Sequence, residues 1–99
     1  MTWTVDVQCA GDRQRGWTCF GRIGDGTRPV SEHEIRVAPG DLETLAPGAL
    51  DPTVLVTRSL AFLLEREPPT SILRSFDLTV IGRFFPDYEA TIRRRVRDA

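Results

Sequence analysis

The sequence predicts an α+β fold: a three-stranded antiparallel meander followed by helices packed on one sheet face. The N-terminal half alternates apolar and polar residues with a period of two, which is typical of half-buried strands. The C-terminal half repeats apolar residues at steps of three and four, which is typical of helices. With 99 residues, 40% of them hydrophobic, we expect a single small domain over 1–99.

The three strands are predicted at about 3–9, 17–23 and 32–37. A glycine-bounded polar loop, 11–16, separates the first two strands, and the turn sequence Gly24-Asp25-Gly26 follows the second. These segments therefore read as consecutive antiparallel neighbours.

The register of the first hairpin must keep both apolar rows on the same side of the sheet, because a slip of one residue would turn one row toward solvent. We predict the register that places Cys9 opposite Cys19. This register also sets Val5 opposite Ile23 and Val7 opposite Gly21. The small Gly21 would leave room for a neighbouring ring or a helix side chain, whereas Phe20 points to the other face.

Helices are predicted at about 52–65, 71–76, 78–84 and 86–97, with one helical turn over 41–46. Asp41, Asp51 and Asp77 are the expected N-terminal caps. Pro86 either bends or breaks the last helical stripe, and we favour the break. Helix 52–65 is apolar around most of its circumference, which indicates burial on more than one side.

His33 is the only histidine and hence the only side chain whose ordinary pKa suits proton transfer at neutral pH. A minor enzyme would pair it with Asp41 or Glu43. Its position on the apolar side of a strand favours a partly buried structural histidine instead, so the enzyme hypothesis ranks last.

Cys9 and Cys19 are expected to be reduced thiols that fill the apolar strand face. The start of the sequence lacks the pattern of a secretory signal, and no apolar run approaches membrane-spanning length. We therefore expect a cytoplasmic location, where structural disulfides are rare, and no membrane partner.

No cofactor or metal site is predicted. The glycine-rich segment 21–26 resembles a phosphate loop only in composition, because Pro29 and a strand follow it rather than a helix. The two cysteines are too few and too widely spaced for a zinc site.

The C-terminal arginines could contact nucleic acid. Residues 1–51 carry a net charge of −3 and residues 52–99 one of +2, within a total of −1. The candidate contacts are Arg83, Arg93, Arg94, Arg95 and Arg97. Helical ion pairs of Glu89 with Arg93 and of Arg94 with Asp98 are the simpler explanation, so a small, antitoxin-like nucleic-acid-binding regulator is the second hypothesis.

The sequence has more hydrophobic side chains than one small core can bury. This excess favours a noncatalytic protein-interaction or self-associating domain. The expected partner is another protein or a second copy in a homodimer. Contact would be made through helix 52–65 or the Phe84-Phe85-Pro86 region. The candidate interface residues are Phe62, Phe84, Phe85 and Tyr88.

Overall fold

The computed structural model describes residues 2–99. It contains a four-stranded sheet and four helices, with a short 3-10 turn at Pro69–Ser71. The strands are β1 (Thr4–Asp12), β2 (Gly16–Gly24), β3 (Pro29–Val37) and β4 (Ser75–Asp77). The helices are α1 (Pro39–Leu45), α2 (Thr53–Leu64), α3 (Val80–Phe84) and α4 (Tyr88–Arg97). The predicted α+β fold is confirmed.

The β1–β2 hairpin has the predicted register. Val5 lies opposite Ile23, Val7 opposite Gly21 and Cys9 opposite Cys19. All three strands of the meander are longer than predicted, and β3 already begins at Pro29. Apolar and polar residues alternate only in the part of each strand that packs on the core. Backbone pairing with the neighbouring strand therefore extends beyond the segment in which the residues alternate.

The sheet has a fourth strand, which the sequence did not predict. β4 pairs in parallel with β3, setting Phe76 beside Ile35. The predicted helix over 71–76 is therefore wrong. Ile72 and Phe76 are both buried, as a helical spacing of four would also require, but β3 offers a free edge. Backbone bonds from Glu34 N–H to the Arg74 carbonyl (2.7 Å) and from Leu78 N–H to the Arg36 carbonyl (2.9 Å) hold this segment extended.

The helices cover one face of the sheet, and the core lies between the two layers. The buried residues of the inner sheet face are Val7, Trp17, Cys19, Ile23, Ile35 and Val37. Gly21 allows α2 to approach β2 closely, because a Cβ placed at Gly21 would lie only 2.6 Å from the Leu60 Cδ1. The room predicted at Gly21 is thus filled by a helix side chain.

The three predicted N-terminal caps have different positions and partners in the structure. Asp51 accepts a hydrogen bond from the Thr53 N–H (2.8 Å), although α2 begins one residue later than predicted. Asp41 lies within the first turn of α1 and accepts from the Ala38 N–H (3.3 Å). Asp77 caps no helix, because it belongs to β4 and pairs with Arg36. Pro86 does break the last stripe, since it lies between α3 and α4.

Cys9 and Cys19 form a disulfide, which corrects the expectation of reduced thiols. The hairpin register places the two residues directly across from one another, with their Cα atoms 4.0 Å apart. The same alternation that predicted facing side chains therefore also provides the geometry for a bond between β1 and β2.

Candidate protein-interaction site

A groove lined mainly by apolar side chains runs between the C-terminal end of α2, the segment before β4, and α3. We call it the Phe84 groove. It is formed by Leu63, Glu67, Ser71, Ile72, Leu73, Phe76, Val80, Ile81, Phe84 and Phe85. Its volume is about 180 Å³. Within it, Phe84 is 68% exposed and Leu73 is 52% exposed, so large apolar side chains face solvent at this site.

Local sequence decides which of two adjacent phenylalanines reaches the core. Phe85 precedes Pro86, and a residue before proline is restricted to extended backbone; here φ is −129° and ψ is 93°. Phe85 consequently turns toward α2, where its ring packs edge-on against Phe62 at 5.9 Å between centroids. Phe84, the last residue of α3, is left on the surface.

The floor of the groove is continuous with the domain core. Leu63, Ile72, Phe76 and Ile81 are all buried. Pro68 and Pro69 direct the chain out of α2 and into the 3-10 turn, after which Ile72 and Phe76 reach inward from the extended segment. The groove is therefore supported by packed side chains on three different segments.

Two of the four predicted interface residues belong to the core. Phe62 and Tyr88 are buried, and their rings pack edge-to-face at 5.3 Å between centroids. Burial raises the pKa of the Tyr88 phenol, so it stays protonated. Because the Ser59 hydroxyl donates its one proton to the Leu55 carbonyl (2.7 Å), Tyr88 donates to the Ser59 Oγ (2.7 Å). Phe62 and Tyr88 are thus unavailable to a partner.

Two arginines form ion pairs across the contact between α2 and α4. The Arg66 guanidinium lies 3.6 Å from the centroid of the Phe62 ring and binds Asp87 at 2.8 Å. Arg95 forms two hydrogen bonds with the Glu65 carboxylate, at 2.7 and 2.9 Å. These two hydrogen bonds from the Arg95 guanidinium lower the pKa of the Glu65 carboxyl below its ordinary value.

The predicted arginine cluster is divided. Arg95 is engaged by Glu65, whereas Arg93, Arg94 and Arg97 are exposed on α4 and Arg83 is exposed on α3. Among residues 2–99, neither of the two predicted helical ion pairs of α4 is formed, and the only pair within α4 and its C-terminal cap joins Arg97 to Asp98 at 4.0 Å. Arg93 and Arg97 border another depression, of about 610 Å³, which is also lined by Val54 and Val96.

His33 is buried and fixed at both ring nitrogens. Its Nδ1 donates to the Leu73 carbonyl (2.7 Å), since a carbonyl can only accept, and its Nε2 therefore accepts from the Ser31 hydroxyl (2.8 Å) in the neutral ring. These bonds join β3 to the segment that leads into β4.

Asp6, Glu32 and Glu34 border a depression of about 400 Å³ beside His33. Two of these three carboxylates are engaged in ion pairs. Glu32 pairs with Arg22 at 3.4 Å and Glu34 with Arg36 at 3.1 Å. Asp41 and Glu43, the partners considered from sequence, do not line this depression. The geometry gives His33 a structural role in joining two segments.

Within residues 2–99, no cluster of three or more His, Cys, Asp or Glu side chains is arranged to hold a metal ion. No helix in this described range is both long and apolar enough to cross a membrane. Comparison of the chain with protein-family models, curated proteins and solved structures found no match.

Sequence reasoning named Phe84 and Phe85, which line the groove, as candidate interface residues, but it did not name Leu73, Val80 or Glu67, which also line it. Leu73 was missed because its segment was interpreted as a helix. A signal was present: Ser75, Phe76, Asp77 and Leu78 alternate polar and apolar side chains, as a short strand does.

Proposed function

We propose that this chain is a noncatalytic protein-interaction domain that binds an apolar segment of a partner protein in the Phe84 groove. The observation that carries the proposal is the position of Phe84, 68% exposed beside a floor of buried apolar side chains. Contiguous exposed apolar surface of this kind is a mark of interaction sites on proteins.

The size of the groove supports a protein side chain rather than a free small molecule. Small-molecule pockets usually enclose about 300–1,000 Å³, whereas the Phe84 groove encloses about 180 Å³. A volume of this size suits one or two side chains that a larger partner inserts. An aromatic or aliphatic anchor buried in such a pocket is a common source of binding energy between proteins.

The charge of the groove favours a basic residue next to that anchor. Glu67 is the only ionisable residue in the lining, and it has no ion-pair partner among residues 2–99. A lysine or arginine of the partner would meet Glu67 at the rim. The proposed ligand is therefore a peptide segment with two neighbouring apolar side chains and a nearby cation.

Selection of displayed peptides on the wild-type protein tests this proposal. We expect enrichment of segments with paired apolar residues and an adjacent basic residue. A synthetic peptide of the enriched sequence should bind at least tenfold more weakly to Phe84→Glu, because loss of a hot-spot contact costs about 2 kcal/mol or more and tenfold corresponds to about 1.4 kcal/mol. Isothermal titration calorimetry measures the change.

Phe20→Glu is the matched control, because Phe20 is also an exposed phenylalanine (56%) but lies on the other face of the sheet. It should bind the peptide as the wild type does. Failure to enrich any such segment, or equal binding by Phe84→Glu, would remove the basis of the proposal.

Nucleic-acid binding by the α4 arginines has weaker support. Arg95 is already bonded to Glu65, and the overall charge of −1 provides no attractive field. The Cys9–Cys19 disulfide is more typical of oxidising compartments than of the cytoplasmic location expected from the sequence.

A further inference from the structure

The two edges of the sheet differ in how they are protected from pairing with another strand. β4, at one edge, is only three residues long, and its Asp77 is bound by Arg36 at 2.7 Å. Short, charged edge strands resist further pairing. β1, at the other edge, has nine residues, with no proline and no basic side chain.

The open edge of β1 has no strand or backbone partner beyond β2 among residues 2–99. A strand in this position presents a row of free N–H and C=O groups that can template another strand. β1 carries two charged residues, Asp6 and Asp12, but both lie on the outer face, and β1 has no proline and no inward-pointing charge. This edge is therefore competent for pairing.

The apolar row of β1 also lacks cover at this edge. Cys19 and Ile23 in β2 are fully buried, yet their direct partners Cys9 and Val5 in β1 are only partly buried. The difference arises because β2 has a neighbour on each side, whereas β1 has none on its outer side. A strand added there would complete the burial.

Helix α2 carries a similar row of partly exposed side chains in the helical layer. Thr57, Ala61 and Leu64 are partly exposed and recur at helical spacing on one side of α2. They lie away from Ser59 and Phe62, which contact α4. α2 packs beneath β1 and β2, so this free side lies toward the β1 edge.

We infer that the β1 edge pairs with β1 of a second copy, antiparallel about a two-fold axis at Gln8, and joins the two sheets into one of eight strands. This register pairs all nine residues of each strand. It sets Asp6 opposite Ala10 and Asp12 opposite Thr4, so no two carboxylates lie directly opposite one another, and Asp6 meets Asp12 of the other copy only at the wider diagonal spacing.

Other two-fold registers that keep the apolar faces together fit less well. An axis at Asp6 sets two copies of this aspartate opposite one another, and an axis at Cys9 sets Asp6 opposite Asp12. An axis at Val7 leaves the C-terminal end of each strand unpaired. The Gln8 register pairs the full length of two identical strands without directly opposed carboxylates, as a two-fold interface requires, and this favours a second copy as the added strand.

Charge at the axis tests the inference. Light scattering coupled to size exclusion, over a range of micromolar concentrations, should show the wild type at twice the monomer mass of 11.1 kDa. Gln8→Glu places two like charges opposite one another and should weaken the dimer at least tenfold. Mixing Gln8→Glu with Gln8→Arg should restore a heterodimer, because opposite charges then meet.

Thr18→Glu is the control, since it adds the same charge to the outer face of β2, away from the edge. It should leave the dimer intact. Gln8 is exposed, so its variants should keep the wild-type circular dichroism spectrum. Amide exchange at β1, measured as a function of concentration, gives a second readout that needs no variant: protection should rise as the dimer forms.

A wild type that stays monomeric, or a dimer unaffected by Gln8→Glu, would overturn the inference. A dimer lost in Phe84→Glu but retained in Gln8→Glu would also overturn it and would assign self-association to the Phe84 groove. Peptide binding by the groove and dimerisation by the edge are thus separately testable.

Discussion

The contact between α2 and α4 and the Phe84 groove both contain phenylalanine, but the ring is buried at the contact and exposed at the groove. At the α2–α4 contact, Phe62 is buried beneath Arg66 and against Tyr88. At the groove, Phe84 is exposed beside a buried apolar floor. Aromatic content alone therefore does not identify an interface; the decisive difference is whether neighbouring elements of the same chain cover the ring.

The largest expected contrast is between truncations of these two phenylalanines. Phe62→Ala should lower the free energy of unfolding by about 3–5 kcal/mol, because it removes a fully buried ring from the core. Phe84→Ala should change it by no more than about 0.5 kcal/mol, because its ring is largely in solvent. Urea denaturation measures both. Similar losses in the two variants would mean that Phe84 also belongs to the core.

A smaller effect is expected at the hydroxyl pair of the α2–α4 contact. Tyr88→Phe removes the donor to Ser59 and should cost about 1 kcal/mol of unfolding free energy. Ser59→Ala leaves the buried Tyr88 hydroxyl without a partner and should cost more, about 1–3 kcal/mol. Thermal unfolding of both variants checks this order. The reverse order would contradict the assigned direction of the hydrogen bond.

The smallest effect concerns the ion pair at the rim of the same contact. The pKa of Glu65 is lowered by Arg95 from an ordinary value of 4.5, so the pair stabilises the fold above that pH and loses its contribution as the pH falls through the folded-state value. Glu65→Gln should be less stable by about 0.5–1 kcal/mol at neutral pH, given partial exposure of the pair.

Stability curves of wild type and Glu65→Gln should accordingly converge as the solution is acidified below pH 4.5. Glu89→Gln is a suitable control, because Glu89 is exposed and pairs with no residue in the described range 2–99. A difference between wild type and Glu65→Gln that is constant with pH would assign the effect of the substitution to something other than this carboxylate.

The meander was predictable because two independent alternations had to agree. Each strand carries its own apolar row, and a slip of one residue in the alignment of 3–9 with 17–23 would put the two rows on opposite faces. The same argument set Cys9 opposite Cys19. It gave no information on whether the thiols are bonded, because the expected reduced state came from an assumed compartment and not from geometry.

β4 and the groove were not predictable in the same way. A strand of three residues is too short to establish a period, and its partner β3 is distant in sequence. The contrast between Phe62 and Phe84 depends on how α2, α3 and α4 are arranged in space. Helical periodicity gives the face of each helix but not which neighbour covers it, so all four aromatic residues looked equally available.

The pairing of β3 with β4 has a consequence for how the domain assembles. Arg36 and Asp77, which meet at 2.7 Å across that pair, are 41 positions apart in the sequence. Closing a loop of this length costs chain entropy before any contact is gained, whereas the two hairpins of the meander need only short loops. We therefore expect the hairpins to form before β4 docks, so that the Phe84 groove is completed only when the segment around β4 is in place.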